Sequence, residues 1–399
     1  MQPDIAVLDA EALLALATSY RTRRDYPRAL RFAKLALAKT EKPDARLMHE
    51  IAVCGFYGDA AARAQGREFC DALALARGTP MDIKDRARDN LGWYIEPVDE
   101  LIPSWGAKRL DFVPPPGWHH HNPSIARFGD RLLVLLRCVE FWLDHTGSHT
   151  ERWQPAMSRN FLLDIDPDTF ADTVRHEVLS PAGMPPPLHP HMPLGYEDAR
   201  IFEWRGDLWC VATMGWLNVE GWAEQWLARV GNGSLDFPKA LHPEGWRAPQ
   251  KNWIPLVDGE ELRFIYWCEP TKVLDTNAAL IKQTEPPIDA GSFRGSSQAI
   301  PFGEGWLAVV HTVIRRHGWP RYHFRFAWFD KAYELRKVSH AWTLPTECAD
   351  PYLAGHQYVM GLCWHPDHER LVMSYQIDER EAWLSAFSAG DVRALMRSF

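Results

Sequence analysis

A chain of 399 residues is too long for one small domain and long enough for two, and 46% apolar with 24% charged residues is the balance of a soluble globular protein. Forty-four Lys and Arg against 52 Asp and Glu leave a net charge of −8, which excludes nucleic acid or an anionic membrane as the main partner, since both need a basic footprint. Seven scattered cysteines, never in Cys-x-x-Cys spacing, predict reduced thiols in a cytoplasmic protein; no leader and no membrane span is read, the longest apolar runs falling short of the roughly 18 residues required.

Composition changes near residue 103, where an Ala-, Leu- and Arg-rich segment gives way to one holding most of the nineteen tryptophans. A boundary is therefore expected there, with a helical domain over 1–102 and a β domain over 103–399. In residues 10–43 apolar positions recur at three and four, break at a charged turn and resume, which predicts a helical hairpin. Leu13, Ala17, Tyr20, Ala29, Ala33 and Ala36 resemble the tetratricopeptide pattern, in which small residues let paired helices pack closely. Residues 46–80 resemble a second, degenerate copy, and "DIKDRARDNLGWYI" reads as a capping helix. Two copies are too few for a long groove, so docking to a protein partner or self-association is expected of this part.

Beyond residue 103 a strand, a tight polar turn and a second strand recur five times: "SIARFGDRLLVLLR", "ARIFEWRGDLWCVATM", "WIPLVDGEELRFIYWCEP", "QAIPFGEGWLAVVHTV" and "GLCWHPDHERLVMSYQID". Each turn carries Gly or Asp where a positive φ is wanted. The turns fall about 45 to 75 residues apart, which leaves room for two more strands per unit. The expected fold class is therefore mainly β, a five-bladed β-propeller behind the α-helical domain. A β-sandwich is the competing architecture, but it predicts no such recurrence.

Polar clusters precede four of the hairpins: "HHHNP" at 119–123, "GYEDAR" at 195–200, "QKNW" at 250–253 and "SFRGSSQ" at 292–298. Equivalent places in successive blades would open them onto one mouth, to which the returning strands bring Arg137, Glu269, His311 and Gln376. Within "GYEDAR", Glu197 and Asp198 are adjacent carboxyls. Partial exclusion of water is expected to raise the pKa of Asp198, as a general acid needs, while Arg200 holds its neighbour ionised. The competing reading makes Glu197 and Arg200 a structural ion pair. Histidines in "WHHHNP" and "HPHMP" suggest a metal, but adjacent residues on an extended chain face opposite ways and no acid or cysteine completes a set, so neither a metal nor a cofactor is expected. Asn122 reads instead as a hydrogen-bonding contact to a sugar.

"NPSIAR", "GYEDARI", "KNWIP" and "GEGWLAVVH" resemble, in that order, the motifs of glycoside hydrolase family 130, the five-bladed mannoside phosphorylases, whose relatives include mannosyltransferases that use sugar nucleotides. The resemblance covers residues 115–399. It implies that Asp198 is the proton donor and that basic residues of neighbouring blades, here Arg159, Lys251 and His311, bind phosphate. Arginine offers a planar fork and lysine a point charge for that task. Ala199 stands where the family usually has proline, and Asn252 where an aspartate often follows the lysine. Glu197, Arg200, Asn252, Arg294 and Tyr322 complete the expected substrate contacts, the last two linked to the basic stretch "VIRRHGWPRYHFRFAWFDK".

The expected function is glycosyl transfer: an inverting, mannosyltransferase-like enzyme using a sugar phosphate or nucleotide sugar and a glycan acceptor, or a mannoside phosphorylase. The departures at Ala199 and Asn252 and the helical domain tilt the reading towards transferase. A non-catalytic glycan-binding propeller with a helical docking module is the alternative.

Overall fold

The computed structural model describes residues 7–140, 142–143, 149–150, 157–190, 192–231, 233–245, 247–316, 319–345 and 356–399. Part of the basic stretch after Val313, His191 of "HPHMP" and Cys348 therefore lie outside the described residues. The chain divides into two compact units, one of residues 1–96 with 287–289, the other of 97–286 with 290–399.

The first unit is built from five helices, Ala10–Thr22, Tyr26–Ala38, Ala45–Gly55, Ala60–Leu75 and Met81–Leu91. Four of them start the same way, with the carboxylates of Asp9, Asp25, Asp44 and Asp59 accepting from backbone amides of the first turn. Each cap satisfies a donor that the helix itself cannot, worth about 1 kcal/mol. Leu13, Ala17, Ala29, Ala33 and Ala36 are fully buried within this unit, where small side chains admit close helix approach. The 287–289 segment belongs here through Asp289, which accepts from Lys84 Nζ at 2.6 Å and pairs with Arg88 at 3.1 Å.

The second unit is a propeller-like set of antiparallel sheets. In the first blade His119–Phe128 pairs Arg131–Val139, then Ser158–Ile165, then Asp172–Val178. The second runs Glu197–Trp204, Asp207–Thr213, Gln225–Arg229, Lys239–Leu241, and the third Ile254–Asp258, Glu261–Cys268, Thr271–Leu274, Leu280–Thr284. The last blade orders Gln357–Trp364, Arg370–Ile377 and Glu381–Ser388, and the early strand Gly106–Arg109 completes it, Ala107 facing Ser385. All five repeated hairpins form. Their turns take left-handed conformations at Gly206 and Gly259, for example, and at His368 in the last, where no glycine is present.

Among the described residues four regular four-stranded blades are present, not the five expected. The hairpin of "QAIPFGEGWLAVVHTV" lies in an eight-stranded sheet instead. Its arms, Gly305–Arg316 and Trp319–Asp330, are 12 residues each, long enough to pair two short strands apiece. Arg294–Gly295 and Ile300–Phe302 both line the first arm, and Leu335–Val338 and Trp342–Thr343 the second. Edges left by so long a ribbon would otherwise expose unpaired backbone groups.

Apolar side chains fill the spaces between neighbouring sheets. Trp342, Phe324, Phe326 and Phe387 pack with Val309, Leu362 and Met373 in one such layer, and Trp253 with Phe264 and Leu274 in another. The six described cysteines are free and buried, and burial pushes the thiols of Cys54, Cys70, Cys138, Cys210 and Cys268 up to about 12. Among the described residues no helix is long and apolar enough to cross a membrane.

Candidate functional site

The inner strands of the first two blades carry the same local bulge near one end. In the first blade His121 faces Arg137 and Ser124 faces Leu135, so one extra residue is bulged out at Asn122–Pro123. In the second, Arg200 faces Val211 and Glu197 faces Thr213, which bulges the chain at Asp198–Ala199. Asn122, Asp198 and Asn252 all have left-handed backbones, with φ of 26°, 51° and 63°. A bulge interrupts the alternation of a strand and re-aims one side chain, and Asn and Asp tolerate left-handed conformations better than most residues. The two bulges, and the left-handed backbone of Asn252 just before the third blade, bring three polar side chains to one cavity of about 640 Å³.

That cavity brings together Asn122, Glu197, Asp198, Lys251, Asn252, Arg294, His311 and Tyr322 from the expected set, with Arg137 and Gln376. Three expected residues are not part of its lining. Arg159 is engaged by Glu177 in a two-pronged pair, at 2.7 Å through Nε and 2.5 Å through Nη2, and lies over the Trp118 and Phe161 rings. Glu269 accepts from the Ala290 amide. Arg200 is wholly buried, so it touches no ligand in the cavity.

Asp198 is the best-held group. Its Oδ1 accepts from Asn122 Nδ2 at 2.6 Å and Arg137 Nη1 at 2.9 Å, while Arg137 Nε is tied to Ser158 Oγ at 2.8 Å. No donor among the described residues reaches Oδ2. Burial alone would raise this carboxyl, but the charges of Arg137, Lys251 and His121 and the Asn122 bond outweigh it and hold Asp198 well below the usual carboxylate range. The expectation of a raised pKa is thus overturned. The neighbouring charge that was to raise it is neutralised, because Glu197 accepts from Lys251 Nζ at 2.7 Å. The ion pair considered between Glu197 and Arg200 does not form either; Lys251 takes the place beside Glu197 assigned to Arg200, and Arg137 pairs with Asp198 instead.

The three expected phosphate ligands fare differently. Lys251 is paired with Glu197 and Arg159 is outside the cavity. His311 is buried, with Nδ1 2.8 Å from Ser296 Oγ, and burial together with Arg200 and Arg294 lowers its pKa to about 3, so it is neutral and offers no charge. Arg294 is the exception among the lining cations. Its Nη1 donates to the Gly291 and Phe293 carbonyls at 2.8 and 2.9 Å and its guanidinium lies 3.9 Å from the Trp267 ring centre. Among the described residues no carboxylate pairs with it, and burial lowers its pKa. A desolvated cation without a counter-ion favours an anionic ligand.

His121, Trp267, His356, Tyr358 and Glu379 also line the cavity and were not foreseen. One signal was available: "HQY" at 356–358 precedes the fifth hairpin as the other clusters precede theirs. Glu379, with φ 52°, places Oε1 3.2 Å from His121 Nε2. Its Oε2 and Asn122 Oδ1 are buried acceptors without a hydrogen bond. His120 points the other way, to the Phe112 carbonyl at 2.8 Å, as alternation in "HHH" requires.

The buried histidines make stability pH-dependent with a defined sign. Burial lowers His120 to about 4 and His311 to about 3, whereas an unfolded histidine titrates near 6.5. Below about pH 6.5 the unfolded chain therefore takes up protons that the native protein refuses, so each histidine costs about 1.4 kcal/mol of stability per pH unit as the pH falls towards 4. Asp198 and Glu379, both depressed, act in the lower window: their stabilisation is present above the unfolded carboxyl range of about 4 and is lost as pH falls below it. Urea melts of the wild type and of His311→Gln between pH 7 and 4 should show a shallower decline in the variant. Parallel curves would mean His311 titrates normally.

No protein-family model matches the chain, and no characterised protein matches it in sequence. Among solved structures, a glycosyl hydrolase from Bacteroides ovatus is 14% identical with a TM-score of 0.48, over 68% of this chain and 84% of that one. A structure reported with the GH130 mannoside phosphorylases, as containing glycoside hydrolases that target β-1,2 mannosidic linkages in Candida mannan, is 12% identical with a TM-score of 0.44, over 68% and 84%. MPT-1, a GDP-Man-dependent mannosyltransferase from Leishmania mexicana, is 11% identical with a TM-score of 0.45, over 71% and 90%. These neighbours are carbohydrate-active enzymes.

Proposed function

We propose that the protein transfers a glycosyl group from a phosphate-activated sugar to an acceptor hydroxyl, with inversion, and that Asp198 is the general base. The observation that carries this reading is the placement of Asp198 in the cavity wall with Oδ1 held by Arg137 and Asn122. A carboxylate held by Arg137 and Asn122 through Oδ1 has Oδ2 available to take a proton. In the step, the acceptor hydroxyl gives its proton to Asp198 Oδ2 and its oxygen bonds to the anomeric carbon. The bond from that carbon to the phosphate oxygen breaks, and the electron pair leaves with the phosphate, whose charge Arg294 receives. Phosphorolysis would need the same carboxyl protonated at the start, which the charges of Arg137 and Lys251 oppose.

A polyhydroxylated substrate suits the orphaned acceptors. Glu379 Oε2 and Asn122 Oδ1 are buried without donors, an arrangement that costs about 1–3 kcal/mol each until a ligand hydroxyl supplies one. Tyr322 adds an aromatic surface in the cavity wall against which the CH side of a sugar can rest. Mannose is the sugar that the motif resemblance implies.

The test is ³¹P NMR of the protein mixed with hexose 1-phosphates in one series and nucleotide diphosphate hexoses in another, each with candidate glycan acceptors. Release of phosphate or nucleoside diphosphate together with a new glycoside is expected in one series. Binding of neutral glycans with no donor consumed in either would instead establish the glycan-binding alternative.

A further inference from the structure

Arg200 is fully buried and, among the described residues, forms no ion pair. Retaining an unpaired guanidinium away from water is expensive unless its N–H groups are all used. Here they are spread over four sheets. Nε donates to the Ser296 carbonyl at 2.8 Å and Nη2 to the Gly295 carbonyl at 3.1 Å, both in the eight-stranded sheet. Nη2 also reaches Asn252 Oδ1 at 3.1 Å, before the third blade, and the Tyr358 hydroxyl at 3.4 Å, in the last. Nη1 lies 3.4 Å from the backbone carbonyl of Asp198, in its own blade.

Two of these partners, Asp198 and Asn252, are among the left-handed residues of the cavity rim. Such backbones persist only where their surroundings over-determine them. The Tyr358 hydroxyl donates to the same Asn252 Oδ1 at 3.1 Å, closing a ring of contacts beneath the cavity. Gly295 permits the close approach: a Cβ there would stand 2.4 Å from the Asn252 carbonyl oxygen and 2.5 Å from Ile254 Cγ1. An apolar side chain of similar volume would fill the space but leave five acceptors in four sheets without their shared donor.

We propose that Arg200 is a positioning residue, clamping the Asp198 main chain and the Asn252 side chain from below and so fixing where the Asp198 carboxylate points. This rests on the reading of Asp198 as the base, and it identifies what holds that base in a backbone conformation it would otherwise leave. The chemistry belongs to the rim, and the geometry of the rim belongs to Arg200.

Arg200→Lys keeps the charge and loses the fork. Selective ¹³Cγ labelling of aspartates, with the Asp198 signal identified by its absence in Asp198→Asn, follows the ionisation of Asp198 without any substrate. The charged and titratable groups around it are untouched: Arg137 and His121 of the first blade, Glu197 beside it, Lys251 before the third, and His311 and Tyr358 from the other sheets. In folded Arg200→Lys the Asp198 signal should titrate about one pH unit higher than in the wild type, a tenfold change, because the carboxylate relaxes away from Arg137 and Asn122. With an active donor, turnover should fall on the order of 100-fold, the usual cost of a misplaced reacting group, while the donor KM stays within about threefold. A folded variant with wild-type titration and turnover overturns the clamp. Should the lysine variant fail to fold, Asn252→Gly preserves the left-handed backbone and removes one clamped acceptor. A shift of Asp198 in the same direction is then expected, and an unchanged titration counts against the proposal. Absence of turnover in the wild type with every donor would defeat the proposed function, whereas the ¹³C titration decides the clamp independently.

Discussion

Asp198→Asn should lower glycosyl transfer on the order of 10²- to 10⁴-fold, the range for loss of a positioned general base, while donor affinity changes by less than about threefold. Asparagine is nearly isosteric, and its Oδ1 can still accept from Asn122 and Arg137, which meet the carboxylate at 2.6 and 2.9 Å. What it cannot do is take a proton at the position of Oδ2. The split between turnover and affinity is therefore the diagnostic result, measured by initial rates beside calorimetric donor binding. A comparable loss of both would mean that Asp198 holds the ligand or the cavity wall. Full turnover in the variant would remove it from the chemistry and transfer attention to Glu379, the other lining carboxylate that meets a histidine, with Oε1 3.2 Å from His121 Nε2.

Arg294→Met should weaken phosphate-bearing ligands by about 1.5–3 kcal/mol, the range for a hydrogen bond to a charged group, or roughly 10- to 150-fold in Kd. Neutral glycans should bind as before. Methionine retains much of the bulk over the Trp267 ring, so the comparison isolates the charge. Lys251→Met is the informative control, because Lys251 is bonded to Glu197 at 2.7 Å and its charge also bears on Asp198. Its loss strands a carboxylate and disturbs both ligand classes. Arg159, already satisfied by Glu177, should leave phosphate affinity unchanged when replaced. Equal weakening of charged and neutral ligands in Arg294→Met would make Arg294 a structural residue and remove the anion seat.

The pattern of these expectations follows from charge pairing. Arg137 is paired with Asp198 and Lys251 with Glu197, and His311 is neutral. Arg294 and, beneath the cavity, Arg200 have no carboxylate partner among the described residues. Arg294 is thus the lining cation left without a carboxylate partner among the described residues, and a phosphate group would pair with it.

Local pattern was legible in the chain by itself. Apolar recurrence at three and four marks helices over residues 10–91, and five hairpins announce themselves through alternation and turn residues, because backbone periodicity and turn chemistry are short-range properties. The clusters before the hairpins also grouped Asn122, Asp198, Lys251 and Arg294, which line one cavity, since equivalent strands in successive sheets start at the same end. Tertiary structure decided the rest. Which carboxylate meets which cation depends on bulges at Asn122 and Asp198 that no spacing rule reveals, so the pKa of Asp198 was expected to rise and instead falls. The eight-stranded sheet arises because each 12-residue arm pairs two short flanking strands, one of which in turn pairs the distant Arg397–Ser398. Arg200 shows the same limit most clearly: beside two acids it reads as a rim residue. Only packing against Gly295, Asn252 and Tyr358 makes it a buried one, because burial is set by the sheets that close over a side chain and not by its neighbours along the strand.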